Sequence, residues 1–568
     1  MADEEKGNDE HREDEYTKDG TVDLRGRPFL RAKGGGWAAS SCILASDALE
    51  RMSFFGVAPN LIFYLTNVLH QDTVTSANNV TNWLGTIMMT SVLTAFIADS
   101  YLGRYRTYII CSFIYLPGMI FLTLTVSLPA LRPPACDLSS QENCKGNSQI
   151  SIFYYALYIM AFGVAGLKAN SAALGAEQFD KFDPKEQAQK ISFFNWWTFA
   201  ISLGNLLATT LLIYVENDVS WSLGYTMATI FLAISLLVFV LGTPLYRHKL
   251  PSGSPFTRIA QVVVAAIRKS SVALPDQDST NDRHVLSTSL TLKFFDKAAV
   301  KTNSSNSDSP WMSCPVCQVE ETKQIIRIFP MFMATIMPSV MMAQVFTIFV
   351  KQGTALDPRM GSHFKLHPAN LSAVYMFSTL VGVVVYDRFL LPLARKRTNN
   401  PRGITFLQRI GIGLVMHIFI MLGAALVERW RLSRKSSTSP STMFVLLPQF
   451  ALMGIAEVFA AVGKMEFFYD QSPEGMKSMG ASFFYLSNGI GSFVSSFLLS
   501  TVSKVTEKDG GKGWVQNNLN SSHLDYYYAL LAGLSAVNLL IFLAVSKFYV
   551  YKCVTVSSES DREKEGSK

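Results

Sequence analysis

Long apolar runs alternate with short polar segments from Trp37 to Tyr551, and few charges fall inside the runs. Twelve reach spanning length: 38–66, 78–100, 105–127, 151–176, 190–214, 222–243, 324–350, 370–393, 405–428, 442–466, 478–502 and 525–550. About 20 apolar residues in a helix cross the hydrocarbon core of a bilayer. The pattern therefore predicts an all-α membrane protein with 12 transmembrane helices. An even count puts both termini on one side. Arg104 and Arg106, Arg247 with Lys249, and Arg395-Lys396-Arg397 with Arg402 flank loops on that side, which the positive-inside rule makes cytosolic. Arg429, Arg431, Arg434 and Lys435 fall in a predicted outer loop and run against the rule. The sequons at Asn79, Asn370 and Asn520 land outside or in the lumen, where glycosylation takes place, and the one at Asn303 lands inside.

The first 36 residues are polar and lack the apolar core of a cleavable signal, so the first spanning helix is expected to direct insertion. The expected organisation is a cytosolic tail (1–36), a six-helix bundle (37–243), a cytosolic linker with some interfacial helix (244–323), a second bundle (324–551) and a tail (552–568). The bundles echo each other. Ser192-Phe193-Phe194 recurs as Ser482-Phe483-Phe484, Glu177 and Asp180 recur as Glu466 and Asp470, and Asp99 recurs as Asp387. Three ordered matches near one offset predict two pseudo-symmetric six-helix halves with a solute site at mid-depth between them.

Composition agrees: 49% hydrophobic and only 16% charged, against roughly 25% charged in soluble proteins. The net charge of +7 lies mostly in loops, where it reports topology rather than nucleic-acid binding. Cys136 and Cys144 share one predicted outer loop and could bridge. The lone Cys314-Pro-Val-Cys317 lacks the second pair that zinc would need, and the methionines of the seventh run are read as packing, so no metal site is expected. Gly34-Gly35-Gly36 lacks the Lys-Ser/Thr of a phosphate-binding loop, which leaves an ion gradient rather than ATP as the energy source. No nucleophile–base set points to an enzyme.

Charges inside the runs carry the chemistry. Asp47, Glu50 and Arg51 share one face of the first helix at spacings of three and four. Each costs from about 3 kcal/mol upward at bilayer depth, so they must face a polar cavity and neutralise one another. Two acids around one Arg leave a carboxylate free to titrate, which suits a proton relay; a structural ion pair is the other reading. Lys168 in the fourth run and Glu457 in the tenth differ by 289, the repeat offset. Pseudo-symmetry places them on opposite halves at equivalent depth, where they could pair when the cleft closes. Asp99 and Arg104 bracket a turn at the cytosolic end of the second run, with an echo at Asp387, and suit a gate.

At these motifs the chain resembles the plant nitrate/peptide transporter family, within the proton-coupled oligopeptide transporters of the major facilitator superfamily. The resemblance rests on Asp47-Ala-Leu-Glu50-Arg51, Ala98-Asp99-Ser-Tyr-Leu-Gly-Arg104, Gly175-Ala-Glu-Gln-Phe-Asp180, Ser192-Phe-Phe-Asn-Trp196, Phe295-Asp-Lys-Ala-Ala299, Pro401-Arg-Gly-Ile404 and Glu466-Phe-Phe-Tyr-Asp470. It implies the major facilitator fold and proton-driven uptake of a small solute without a cofactor. It further implies that Asp47, Glu50 and Arg51 serve coupling and that Lys168 and Glu457 form the interhalf, substrate-binding pair. Ser100 aligns with a family phosphorylation site, which implies kinase regulation.

Four departures qualify the likeness. Asp47 stands where the family has Glu, Ala169 where Pro is usual after the lysine, and Phe54-Phe55 where peptide carriers often have Tyr-Tyr. Met342 occupies the seventh-helix position at which the family's well-known nitrate carrier has His, and a thioether offers an anion no charged donor. The expectation is a proton-coupled symporter, with di- or tripeptides first, nitrate or a plant hormone or specialised metabolite second, and a non-transporting solute receptor as a different class. The membrane is expected to be plasma or vacuolar, with cytosolic termini.

Overall fold

The computed structural model describes residues 16–131, 147–251, 253–271, 292–300, 309–360, 364–398, 403–434, 441–473, 476–507, 513–549 and 551. Cys136, Cys144, Asn303, Arg402 and Lys435 lie outside the described residues.

The first bundle comprises α1 (Gly36–Val57), α2 (Thr73–Ile97), α3 (Arg104–Ser127), α4 (Asn147–Ala176), α5 (Pro184–Leu207) and α6 (Trp221–Leu241). After the linker helix α7 (Pro255–Arg268) come α8 (Val316–Ala334), α9 (Met337–Ala343), α10 (Ile348–Gln352), α11 (Leu371–Val385), α12 (Phe406–Ser433), α13 (Leu447–Gln471), α14 (Lys477–Glu507) and α15 (Leu524–Phe548). Among the described residues ten helices are long and apolar enough to cross a membrane, and α8 with the segment from Met337 to Ala355 makes an eleventh, bent by 46°. The 22-residue α1 completes the twelve and differs from the rest by the three charges within it. This is the helical, twelve-span architecture expected. Its one described β ladder is a two-residue hairpin pairing Arg359–Met360 with Phe364–Lys365.

Local chemistry places the helix ends. Asp72 caps α2 by accepting from Thr75 N at 2.8 Å, and Thr405 and Gln408 form a reciprocal capping box at α12. The bend in the seventh span falls where Pro338 follows Met337. A proline there donates no backbone hydrogen bond and crowds the carbonyl four residues back, at Ala334, where α8 stops.

Helix α8 begins at Val316, well before the apolar run at 324, because its charged first turns are neutralised locally. Lys323 is fully buried against Asp296 and lies 2.8 Å from Glu320, while Arg258 of α7 pairs with Glu321 at 2.7 Å. The Phe295–Ala299 motif is thus a platform under α7 and α8, with Val262, Ala265, Ala266, Ala298 and Val319 in one apolar cluster. At the same end the N-terminal segment is tied to the first bundle. Arg31 pairs with Asp180 and Asp183 at 2.7 and 3.1 Å, and Lys18 N donates to Asp180 at 2.8 Å. Burial alone would raise the Asp180 carboxyl, but donors from Phe182 N, Lys18 N and Arg31 outweigh it and hold the group below its ordinary range.

Of the basic residues that ran against the charge rule, Arg429 and Arg434 are exposed but Arg431 is turned inward. Arg431, 5% exposed, forms a two-point pair with the wholly buried Glu428 at 2.6 and 2.9 Å and donates to Asn520 Oδ1 and Leu519 O. Gln352 donates to the other face of the same carboxylate at 2.7 Å. Arg431 is therefore an internal counter-ion on α12 and carries no topological weight.

The two bundles are stitched together away from the termini. Lys351 Nζ donates to Thr66 at 3.0 Å, Thr73 N to Asn517 at 2.6 Å, Asn78 to Ser500 at 2.8 Å and Asn370 Nδ2 to Thr209 O at 3.0 Å. At mid-depth Tyr485 OH donates to Lys168 O at 3.4 Å.

Candidate functional site

Midway along α1, Asp47 and Glu50 are 4% and 2% exposed. Asp47 Oδ2 accepts from Trp197 Nε1 of α5 at 2.7 Å and from the Ser171 hydroxyl of α4. Arg51 sits with Nε 3.5 Å from Glu50 Oε2, and Glu50 Oε1 has no hydrogen-bond partner. The three-residue knot is thus divided: Arg51 belongs to Glu50, while Asp47 is held by two neutral donors from neighbouring helices. With one methylene fewer than Glu, Asp47 finds its hydrogen bonds among nearer groups.

Lys168 lies beside the knot. Its Nζ sits 3.7 Å from the centre of the Phe54 ring, which in turn stacks on Trp83 at 5.6 Å. An ammonium against a ring face in a desolvated cleft gains about 2 kcal/mol, which offsets part of its burial cost. No carboxylate lies within 4 Å of it among the described residues, so Phe54 supplies most of its company. Phe55 meets Phe346 across the bundle boundary at 6.2 Å, and the half-buried Met342 packs on the same apolar core. Glu457, half-buried on α13, does not pair with Lys168 in this conformation; Lys464 follows two turns along the same helix. The expected interhalf pair is therefore absent here. The cation belongs to the first bundle and the acid to the second.

At the terminal end of the first bundle, Arg104 bridges Asp99 at 3.2 Å and Glu177 at 3.0 Å. The expected echo at Asp387 needs correction. Asp387 is exposed, with no ion pair among the described residues, and the second bundle instead pairs Arg409 with Glu466 at 2.8 Å while Arg409 lies 4.0 Å over the Tyr386 ring. The repeat preserved the glutamate, and a different arginine, on α12, reaches it. Ser100 also differs from expectation: its hydroxyl is buried and unbonded in a tight turn, which gives a kinase no access in this conformation.

The three sequons separate. Asn79 lies within α2 with its amide given to Tyr154 and Gln71, and Asn370 gives its amide to Thr209 O between the bundles; a glycan on either would break those contacts. Asn520 is exposed on the turn before α15. Asn520→Gln is expected to abolish any glycosidase-sensitive shift on a denaturing gel, and Asn79→Gln to leave it unaltered.

Sequence reasoning passed over Trp197 and Ser171, Arg409, His417 and Lys464. Trp197 and Ser171 carry no charge to mark them. Lys464 sits at the end of an apolar run, where a lysine ordinarily reaches for the interface.

A family model described as the POT family matches residues 105–515. The Arabidopsis thaliana protein NRT1/PTR family 5.2 is 48% identical over 97% of this chain and 98% of its own length. The chain belongs to the POT family. Two further similar plant proteins are NRT1/PTR family 5.3, 47% identical over 97% of each chain, and family 8.1, 42% identical over 95% of this chain and 98% of its own. Among solved structures, an auto-inhibited POT family peptide transporter covers 90% of this chain and 98% of its own with a TM-score of 0.67 at 19% identity. At that identity the likeness concerns the fold, which is the twelve-helix major facilitator fold. The protein is therefore a multi-pass membrane transporter and not an enzyme. POT-family transporters bind small solutes and use protons.

Proposed function

We propose that this POT-family protein is a proton-coupled symporter of a small zwitterionic or anionic organic solute, with di- and tripeptides as first substrates, working by alternating access. One observation carries the reading. Lys168, beside the Asp47–Glu50–Arg51 group, and Glu457 stand on opposite bundles, neither in an ion pair with an opposite charge. A cation and an acid facing one cleft suit the two ends of a peptide, carboxylate to Lys168 and ammonium to Glu457. Closure of the cleft would bring the pair together when no solute intervenes, which gives the cycle its two states.

In this reading Asp47, Glu50 and Arg51 carry the coupling proton, Phe54, Phe55 and Met342 line the pocket, and Asp99 with Arg104 gate its terminal end. Positive-inside charge puts the termini in the cytosol in this reading. The membrane is plasma or vacuolar. Nitrate or a plant hormone or specialised metabolite is the second reading; the thioether of Met342 weighs against nitrate.

The test is labelled uptake and current in oocytes, with a dipeptide against nitrate at acidic and neutral outside pH. Acid-stimulated dipeptide current is the expected result. Nitrate current with a silent dipeptide overturns the peptide assignment, and a bound but untransported dipeptide would make the protein a receptor.

A further inference from the structure

The second bundle holds a buried cation that the transport scheme above does not use. Lys464 of α13 is 2% exposed. Its ammonium donates to Ser339 Oγ of α9 at 3.0 Å and to Asn488 Oδ1 of α14 at 2.7 Å, with the Phe484 ring centre 5.1 Å away. Both acceptors are neutral, and no carboxylate lies within 4 Å among the described residues. An ammonium has three donors and no use for a neutral cage unless its charge serves something.

Glu457 is what it can serve. Residues seven apart share a helix face, and side chains on a helix lean toward its N-terminus, so Lys464 points back along α13 toward Glu457.

The neighbours leave no competitor inside this bundle. α12 packs so closely that a Cβ on Gly413 would fall 2.6 Å from that of Ala460. The antiparallel register then sets His417 beside Ala456, 1% exposed and with neither ring nitrogen hydrogen-bonded. Arg409, further along, is taken up by Glu466. From α11 comes Tyr375, whose carbonyl meets Gly454 one turn before Glu457. α9 and α14 offer Ser339, Asn488 and the tyrosine of Tyr485, and across the cleft stand Lys168 and Arg51.

We propose that Lys464 is a positioning residue for Glu457, a standing counter-charge that keeps the carboxylate able to release and regain a proton while Lys168 is not paired with it. Glu457 then alternates between two cations, Lys464 on its own helix and Lys168 from the opposite bundle. The idea rests on the reading that Glu457 and Lys168 exchange partners during transport, and it adds the residue that holds the acid between exchanges.

The test needs no substrate. The purified full chain is reconstituted in lipid and titrated with pH by infrared difference spectroscopy, with the protonated-carboxyl band of Glu457 assigned by its loss in Glu457→Gln. In Lys464→Met the midpoint of that band is expected to rise by about one pH unit, from one charge two helical turns away at an effective dielectric near 20. Lys464→Arg is expected to bring it back. An unmoved midpoint in Lys464→Met, or no band lost in Glu457→Gln, overturns the proposal. Should Lys464→Met fail to fold, Ser339→Ala/Asn488→Ala keeps the charge and releases its tethers. A downward shift there, as the ammonium swings to the acid, is the expected result, and an unmoved midpoint again overturns it. A failed dipeptide uptake assay would sink the peptide reading and leave this titration as it is.

Discussion

Lys168→Ala is expected to remove acid-stimulated dipeptide uptake while leaving surface expression intact. Lys168 holds no structural ion pair among the described residues and rests on Phe54, so the fold loses one cation–π contact when it goes. The solute loses much more. A carboxylate deprived of a desolvated cation gives up about 2 kcal/mol or more, which is roughly 30-fold in apparent affinity. Lys168→Arg keeps the charge but spreads it over a planar fork that fits the Phe54 face differently, and partial uptake is expected. Uptake kinetics beside surface biotinylation decide the matter: an unchanged apparent affinity in Lys168→Ala would mean that the solute binds elsewhere.

The largest effect on stability is expected from Arg431→Met. Glu428 is wholly buried, and the guanidinium, together with Gln352, is what accommodates its charge. Removing one partner of a buried pair costs about 3–5 kcal/mol because the other is left uncompensated. Thermal unfolding of the purified protein in detergent should show a large drop for Arg431→Met and most of it recovered in Glu428→Gln/Arg431→Met, where no charge remains to be stranded. Equal losses in the single and double variants would show that Arg431 acts through Asn520 and Leu519, not through Glu428.

Both residues show how a charge in an apolar run can be recognised while its role is not. Lys168 and Glu457 stand out from the sequence by depth and by their shared repeat offset. Arg431 looked like a loop charge because its run ends there, and only the packing of α12 on the segment before α15 shows it turned inward. Asp387 is the opposite case: the repeat pointed to it, but the longer turn of the second bundle leaves it in the open and hands its glutamate to Arg409.

The chain alone determined the twelve spans, the two related halves and the depth of the internal charges. Each of these follows from periodicity and from the cost of charge in hydrocarbon, which act residue by residue along one helix. Partner choice was decided by tertiary structure. Asp47 went to Trp197 and Ser171, Glu466 to Arg409, and Lys464 to Ser339 and Asn488, because a side chain bonds to whichever neighbouring helix brings a group within about 3 Å. The separation of Lys168 from Glu457 belongs to the same level, since it reports how two rigid bundles lean on one another.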